Sequence, residues 1–234
     1  MNILITGASR GIGAAAYALL KKHGHRVVGH STLGTDVLIA GDLMDPRAPR
    51  DIWDTALDEL EGCIDVLVNN AGVYEAVSDN APDEEWHAAW SRTITINLQA
   101  AADLCRLAVS HFLDRGGGGR IVNIASRAGY RGDSPQHWHY AASKAAMIGM
   151  TKTIARGYAA EGILCFGVAP GFTVSEMTAD YLQGRGGAKI LADIPLGRVA
   201  STDEVAEVIR WLSVDAPASS TGNVVDVNGA SYVR

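Results

Sequence analysis

Tyr140 and Lys144 are four residues apart at the start of a helical pattern. That spacing puts both side chains on one helix face, about 5–6 Å apart at Cβ. An isolated phenol titrates near pH ~10, too high for efficient proton transfer near neutrality, and a neighbouring ammonium favours the phenolate and lowers that value. The pair is therefore a candidate acid/base, although any amphipathic helix can carry a Tyr-x-x-x-Lys on its surface. Ser126 adds weight, because it lies just past the apolar run Arg120–Ala125, and ligands of parallel sheets bind beyond the C-terminal ends of strands. In reduction of a carbonyl, Ser126 would orient the substrate oxygen and Tyr140 would give its proton to the developing alkoxide.

A second constellation opens the chain. Thr6-Gly7-Ala8-Ser9-Arg10-Gly11-Ile12-Gly13 lies between the apolar run Asn2–Ile5 and a helical pattern at Ile12–His23. Such a strand-to-helix turn lets backbone approach a pyrophosphate and aims free N–H groups and the helix dipole at it. The spacing is Gly-x-x-x-Gly-x-Gly; its position at the first strand–helix junction is what makes it informative. A site selective for NAD(H) places an acid at the end of the second strand, where it would repel a 2′-phosphate. Here that strand runs Val27-Val28-Gly29-His30-Ser31-Thr32, without one. Arg10 in the turn could pair with phosphate oxygens, Ser31 and Thr32 could add hydroxyls, and His30 could add charge at lower pH. NADP(H) is favoured; NAD(H) stays open, because Asp36 is close enough in sequence to supply the missing carboxylate.

These groups need a scaffold, and the pattern supplies one. Apolar runs at Arg26–Gly29, Val37–Ala40, Asp65–Asn69, Leu164–Ala169 and Asn223–Val227 join the two above, separated by helical patterns at Ala48–Glu61, Asp83–Arg115, Tyr140–Ala160 and Thr202–Ser213. The runs are nearly continuous and β-branched, as in strands buried on both faces. Alternating strand and helix predicts an α/β fold with a Rossmann-like, doubly wound parallel sheet. Ser201 and Glu204 have capping-box spacing before the last helix. No linker or internal repeat divides the 234 residues, so residues 1–234 read as one dinucleotide-binding catalytic domain.

The net charge of −6 argues against nucleic acid or an anionic membrane as partner. Cys63, Cys105 and Cys165 form no CxxC unit and lie in apolar surroundings, which predicts no disulfide framework, no metal site and a reducing, cytoplasmic setting. The opening Met1-Asn2-Ile3-Leu4-Ile5 leads straight into the glycine turn without a signal segment, and no apolar run reaches the ~18 residues of a membrane span.

Taken together, these motifs resemble the short-chain dehydrogenase/reductase family in its compact, single-domain form. The resemblance runs in order from residue 3 to residue 230. It covers Thr6–Gly13, Asn69-Asn70-Ala71-Gly72, Tyr140 with Lys144, Pro170-Gly171, and the closing strand Thr221-Gly222-Asn223-Val224 through Asn228-Gly229. It implies a catalytic tetrad of Asn97, Ser126, Tyr140 and Lys144, with Asn97 holding a proton-relay water and Lys144 also holding the nicotinamide ribose. It implies cofactor contacts from Gly7, Ser9, Arg10, Gly11, Ile12, Gly13, Ser31, Asp42 (at the adenine), Leu43, Asn69, Ala71, Gly72, Tyr140, Lys144, Pro170, Gly171, Thr173 and Ser175. Departures are the short stretch between His30 and Asp42, with no room for a full helix, Leu164-Cys165-Phe166 before the Pro-Gly strand, and Ser175 where threonine is usual.

The expected activity is hydride transfer between NAD(P)(H) and a small-molecule carbonyl or alcohol. A non-catalytic NAD(P)-binding regulatory protein on the same scaffold is the alternative, and the intact tetrad speaks against it. Extended relatives that epimerise nucleotide sugars need a separate substrate domain, for which there is no room. The substrate pocket is expected from Tyr130–His139 and Phe172–Gln183. Arg127, Arg131, His137 and His139 between Ser126 and Tyr140 suggest a polar or anionic substrate group. The helical stretch Asp83–Arg115 carries apolar residues on more than one face, including Trp86 and Trp90, and predicts a homo-oligomer, a tetramer or a dimer, as in relatives.

Overall fold

The computed structural model describes residues 1–173 and 191–234. Seven parallel strands form one sheet in the order β3-β2-β1-β4-β5-β6-β7. They are β1 (Asn2–Ile5), β2 (Arg26–Ser31), β3 (Leu38–Ala40), β4 (Val66–Asn69), β5 (Gly119–Ile124), β6 (Ile163–Pro170) and β7 (Val224–Val227). The helices are α1 (Gly11–Lys22), α2 (Ala48–Glu59), α3 (Asp83–Ile94), α4 (Ala100–Asp114), α5 (Ala128–Arg131), α6 (Trp138–Tyr158) and α7 (Thr202–Val214). The expected doubly wound Rossmann-like sheet is present.

Alternate strand residues divide the core between the two faces of the sheet, as the two-residue period requires. Leu4, Val28, Leu67, Ile121 and Cys165 pack with α2, α4 and the later turns of α6. Ile3, Ile5, Val27, Val66, Val68, Val122 and Phe166 pack with α1 and α7. The capping box predicted for α7 is formed: Glu204 N–H donates to Ser201 Oγ at 3.2 Å and Ser201 N–H to Glu204 Oε2 at 2.8 Å.

Three local features differ from the sequence pattern or sharpen it. The expected continuous helix over 83–115 is interrupted at Thr95–Gln99 by a π-helical turn, a widening frequent at functional sites. Asn97 sits at its centre, bonded sideways to the backbone of Val73. The second crossover has no helix: β2 leads to β3 through residues 32–37, closed by the Thr35–Leu38 bridge. Cys63 is half-exposed beside Arg115 (2.9 Å), not an apolar filler. Cys105 and Cys165 are buried, and burial pushes the Cys105 thiol up to about 12.

The chain leaves β1 for β2 and β3 on one side, then crosses back to β4 on the other. A crevice therefore opens beyond the C-terminal ends of β1 and β4, the usual ligand position in such sheets.

Candidate active site

Gly7 turns the chain out of β1 with φ of +68°, a conformation that costs glycine little. A Cβ on Gly13 would lie 2.1 Å from Gly7 O and 2.4 Å from Asn70 Nδ2, so the first turn of α1 packs against the glycine turn as only glycine allows. The N-cap of α1, Arg10, makes no side-chain cap bond, and no acid stands in the first turn. The positive end of the helix dipole is thus left for an anion, which suits a dinucleotide pyrophosphate.

The exit of β4 is fastened to this turn. Asn70 Nδ2 donates to Thr6 O at 3.0 Å and Gly7 O at 2.9 Å, while Thr6 Oγ1 accepts from the N–H groups of Asn70 and Ala71, both at 3.1 Å. On the β2 side, His30 Nε2 meets Gly41 O at 2.9 Å and its Nδ1 accepts from Gly7 N–H at 3.4 Å. That pattern requires a neutral ring, and burial lowers its pKa. The expectation that His30 adds charge is therefore corrected: it props the turn.

Beyond β5, the hydroxyl of Ser126 accepts from Ala128 N–H at 3.1 Å. Tyr140 and Lys144 come from the first two turns of α6. Lys144 is buried and donates to Ile124 O, at the end of β5, at 2.8 Å. Tyr140 is half-buried, with Tyr74 set edge-on to its ring at 4.7 Å and 80°; Tyr74 in turn stacks on His137 at 4.0 Å. Burial pushes the Tyr140 phenol up to about 12, with the Ser126 hydroxyl drawing it partly back. Burial brings the Lys144 amine down to about 8. The expectation that the ammonium lowers the phenol is not met. The amine is tied to the backbone, and desolvation outweighs its pull.

These groups line one cleft of about 1140 Å³. On its walls are Gly7, Ser9, Arg10, Gly11, Ile12, Gly13, Ser31, Asp42, Leu43, Ala71, Gly72, Ser126, Tyr140, Lys144, Pro170, Gly171 and Thr173. Asp36 is not among them. Ser175 and residues 174–183 of the expected substrate pocket lie outside the described residues. Asn97 is fully buried behind the wall. Its Oδ1 accepts from Val73 N–H at 2.8 Å and its Nδ2 donates to Val73 O at 3.0 Å, so its amide braces the strand exit; a Cβ on Gly72 would lie 3.3 Å from Asn97 Oδ1 and 3.6 Å from Lys144 Nζ.

Asn69 is turned away from the cleft. Its Nδ2 donates to Asn123 Oδ1 at 2.9 Å, and Asn123 Nδ2 donates to Thr151 Oγ1 at 2.9 Å, forming a buried polar brace under β4, β5 and α6. On that strand exit, Asn70 lines the cleft instead. Of the four basic residues after Ser126, Arg127 and Arg131 line the cleft, whereas His137 lies under Tyr74 and His139 against Trp90. Sequence reasoning missed Tyr74, whose one signal was an aromatic two residues beyond the Asn-Asn-Ala-Gly motif.

The short chain dehydrogenase family model matches residues 1–186. The chain is 34% identical to the 3-oxoacyl-[acyl-carrier-protein] reductase FabG of Escherichia coli (strain K12), with 98% of this chain and 96% of that protein covered. It is 37% identical to the 3-oxoacyl-[acyl-carrier-protein] reductase of Synechocystis sp., with 97% and 94% covered. It is 36% identical to nodulation protein G of Rhizobium sp. (strain N33), again with 97% and 94% covered. The chain belongs to the short-chain dehydrogenase family. Within it, the chain is an NAD(P)-dependent oxidoreductase that interconverts a carbonyl and an alcohol by hydride transfer. Among the described residues, no helix is long and apolar enough to cross a membrane.

Proposed function

We propose that residues 1–234 act as one catalytic domain that reduces a ketone to a secondary alcohol with NADPH. The observation that carries this reading is that Ser126, Tyr140 and Lys144 line the same cleft as the uncapped glycine turn. NADPH along that turn supplies the hydride. Gly7, Ser9, Arg10, Gly11, Ile12 and Gly13 would hold the pyrophosphate side, Asp42 and Leu43 the adenine side, and Ala71, Gly72, Pro170, Gly171 and Thr173 the nicotinamide side, with Ser175 added by resemblance. Ser126 Oγ hydrogen-bonds the substrate oxygen and fixes the carbonyl plane. Tyr140 then donates its proton to that oxygen as charge develops. Lys144 holds the ribose hydroxyls and returns a proton to the phenol, and Asn97 keeps the backbone beside it in place.

NADPH is preferred over NADH because Arg10 is exposed on the cleft wall, Ser31 lines the same cleft, and β2 ends without an acid. The names of the relatives support a 3-oxoacyl compound as the first substrate class to assay. Tyr140→Phe tests the reading: it should keep cofactor binding and lose about 10²–10⁴-fold in kcat. A variant retaining more than a tenth of wild-type kcat would refute the assignment.

The protein is further proposed to be a cytoplasmic homo-oligomer, tetramer or dimer. Support comes from Trp138, half-exposed and packed on Trp86 at 5.3 Å, where α3 and α6 leave an aromatic patch at the surface. Light scattering should give a multiple of 24.7 kDa; a monomer mass would overturn it.

A further inference from the structure

The residue after the proposed substrate-orienting serine is a buried arginine. Arg127 is almost enclosed, with a tenth of its side chain exposed, and its backbone N–H is held by Pro170 O at 3.0 Å. Its guanidinium lies over the ring of Phe172, 5.0 Å from the centroid. Arg127 Nη1 is buried without a hydrogen bond; it reaches the Asp193 carboxylate only at 3.6 Å. The same Asp193 oxygen is taken at 2.7 Å by Arg131 Nη1, which also donates to Ser231 O at 3.3 Å. One carboxylate thus serves two guanidinium groups on the cleft wall, and the more buried of them has the poorer contact. Among the described residues, the other acid that acts on Arg127, Asp133, is engaged with Ser134 N–H at 2.7 Å and the Tyr74 hydroxyl at 3.3 Å.

A buried guanidinium donor without a partner is costly, and arginine pairs best with a planar, two-oxygen anion. Asp193 is half-exposed, so it can leave the pair for water at little cost. We propose that Arg127 and Arg131 recognise a carboxylate carried by the ketone substrate itself, which competes with the Asp193 carboxylate for the same two guanidinium groups. Among 3-oxoacyl compounds the substrate is then the free 3-oxo acid rather than a neutral thioester or ester. This rests on the reductase reading above and deepens it.

The test uses wild-type protein with NADPH and three probes: acetoacetate, its methyl ester and its N-acetylcysteamine thioester. Wild type should favour the free acid over both neutral probes by about tenfold or more in kcat/KM, mainly through KM. Arg127→Met should collapse that preference. Asp193→Asn, at a half-exposed position, should strengthen it several-fold by removing the internal competitor. A merely structural role for Asp193 gives no change in the acid-to-ester ratio. Equal turnover of acid and neutral probes by wild type, or an Asp193→Asn ratio that stays the same or falls, overturns the proposal and leaves the reductase reading intact. Absence of any NADPH binding or oxidation by wild type would instead sink the reductase reading, and this inference with it.

Discussion

Lys144 Nζ lies 5.8 Å from the centre of the Tyr140 ring, and the hydrogen bond it makes runs to the carbonyl of Ile124. The i,i+4 spacing thus puts lysine and phenol on one face without a direct bond between them. The lysine is poised near the end of β5, within reach of a ligand in the cleft. Its charge is costly where it stands, which brings its titration into the working range.

The pH profile of reduction should follow from this. Lys144 is charged below about 8 and neutral above it, whereas the phenol, pushed up to about 12, stays protonated throughout. As the proton reservoir behind Tyr140 empties, kcat for reduction should fall with rising pH, with an apparent midpoint near 8. In Lys144→Met the rate should be low and that midpoint absent. A wild-type profile flat from pH 7 to 9.5 would refute the relay.

Stability should carry the opposite trend. The folded pKa of Lys144 lies below its unfolded value of 10.5, so between about 8 and 10.5 the unfolded chain binds more protons and stability rises with pH. The buried ammonium's penalty is fully present below 8 and is relieved on the way up. One proton is worth at most about 1.4 kcal/mol per pH unit. Urea midpoints of the ligand-free protein at pH 8 and 10 should therefore rise for wild type relative to Lys144→Met; parallel curves would contradict it.

Cofactor selectivity should rest on Arg10. A charge-assisted hydrogen bond is worth roughly 1.5–3 kcal/mol, so Arg10→Ala should weaken NADPH binding about 10- to 150-fold and NADH binding little. Fluorescence titration of both cofactors decides it. Tighter NADH binding by the wild type would point to an acid outside the cleft wall, such as Asp36.

Asn70 should matter to both fold and cofactor. Asn70→Ala removes the two side-chain bonds that fasten β4 to the glycine turn, at about 1–3 kcal/mol of stability. Cofactor affinity should drop with it, because the turn loses its template. Unchanged chemical denaturation and unchanged affinity together would refute the role.

Much of this was legible in the sequence, for reasons that particular residues make clear. Gly7 and Gly13 stand where no other side chain fits, so the turn is written in residue type. The strands of a buried parallel sheet leave continuous apolar runs. What stayed hidden depends on contacts across the fold. Asn69 and Asn70 look alike in sequence, yet Asn69, the last residue of β4, turns into the core, whereas Asn70, just beyond the strand, bonds the glycine turn at the cleft. The direction of the Tyr140 shift is set by burial, which four-residue spacing does not reveal. The π-turn around Asn97 depends on the backbone of Val73, 24 residues away.

The central position of β1 has a consequence for how the molecule comes into being. Asn2–Ile5 precedes both of its neighbours in the sheet, residues 26–29 and 66–68, along the chain. The crevice between β1 and β4 therefore cannot close until some sixty further residues have followed, and parallel pairings of that separation form slowly. During synthesis the first β-α-β unit must wait with one edge of β1 uncovered, an exposed apolar edge of the kind that invites association with other chains. The closing of the seam between β1 and β4 is thus the step at which a slow ribosome, a chaperone or a weakening substitution would most affect the yield of folded enzyme.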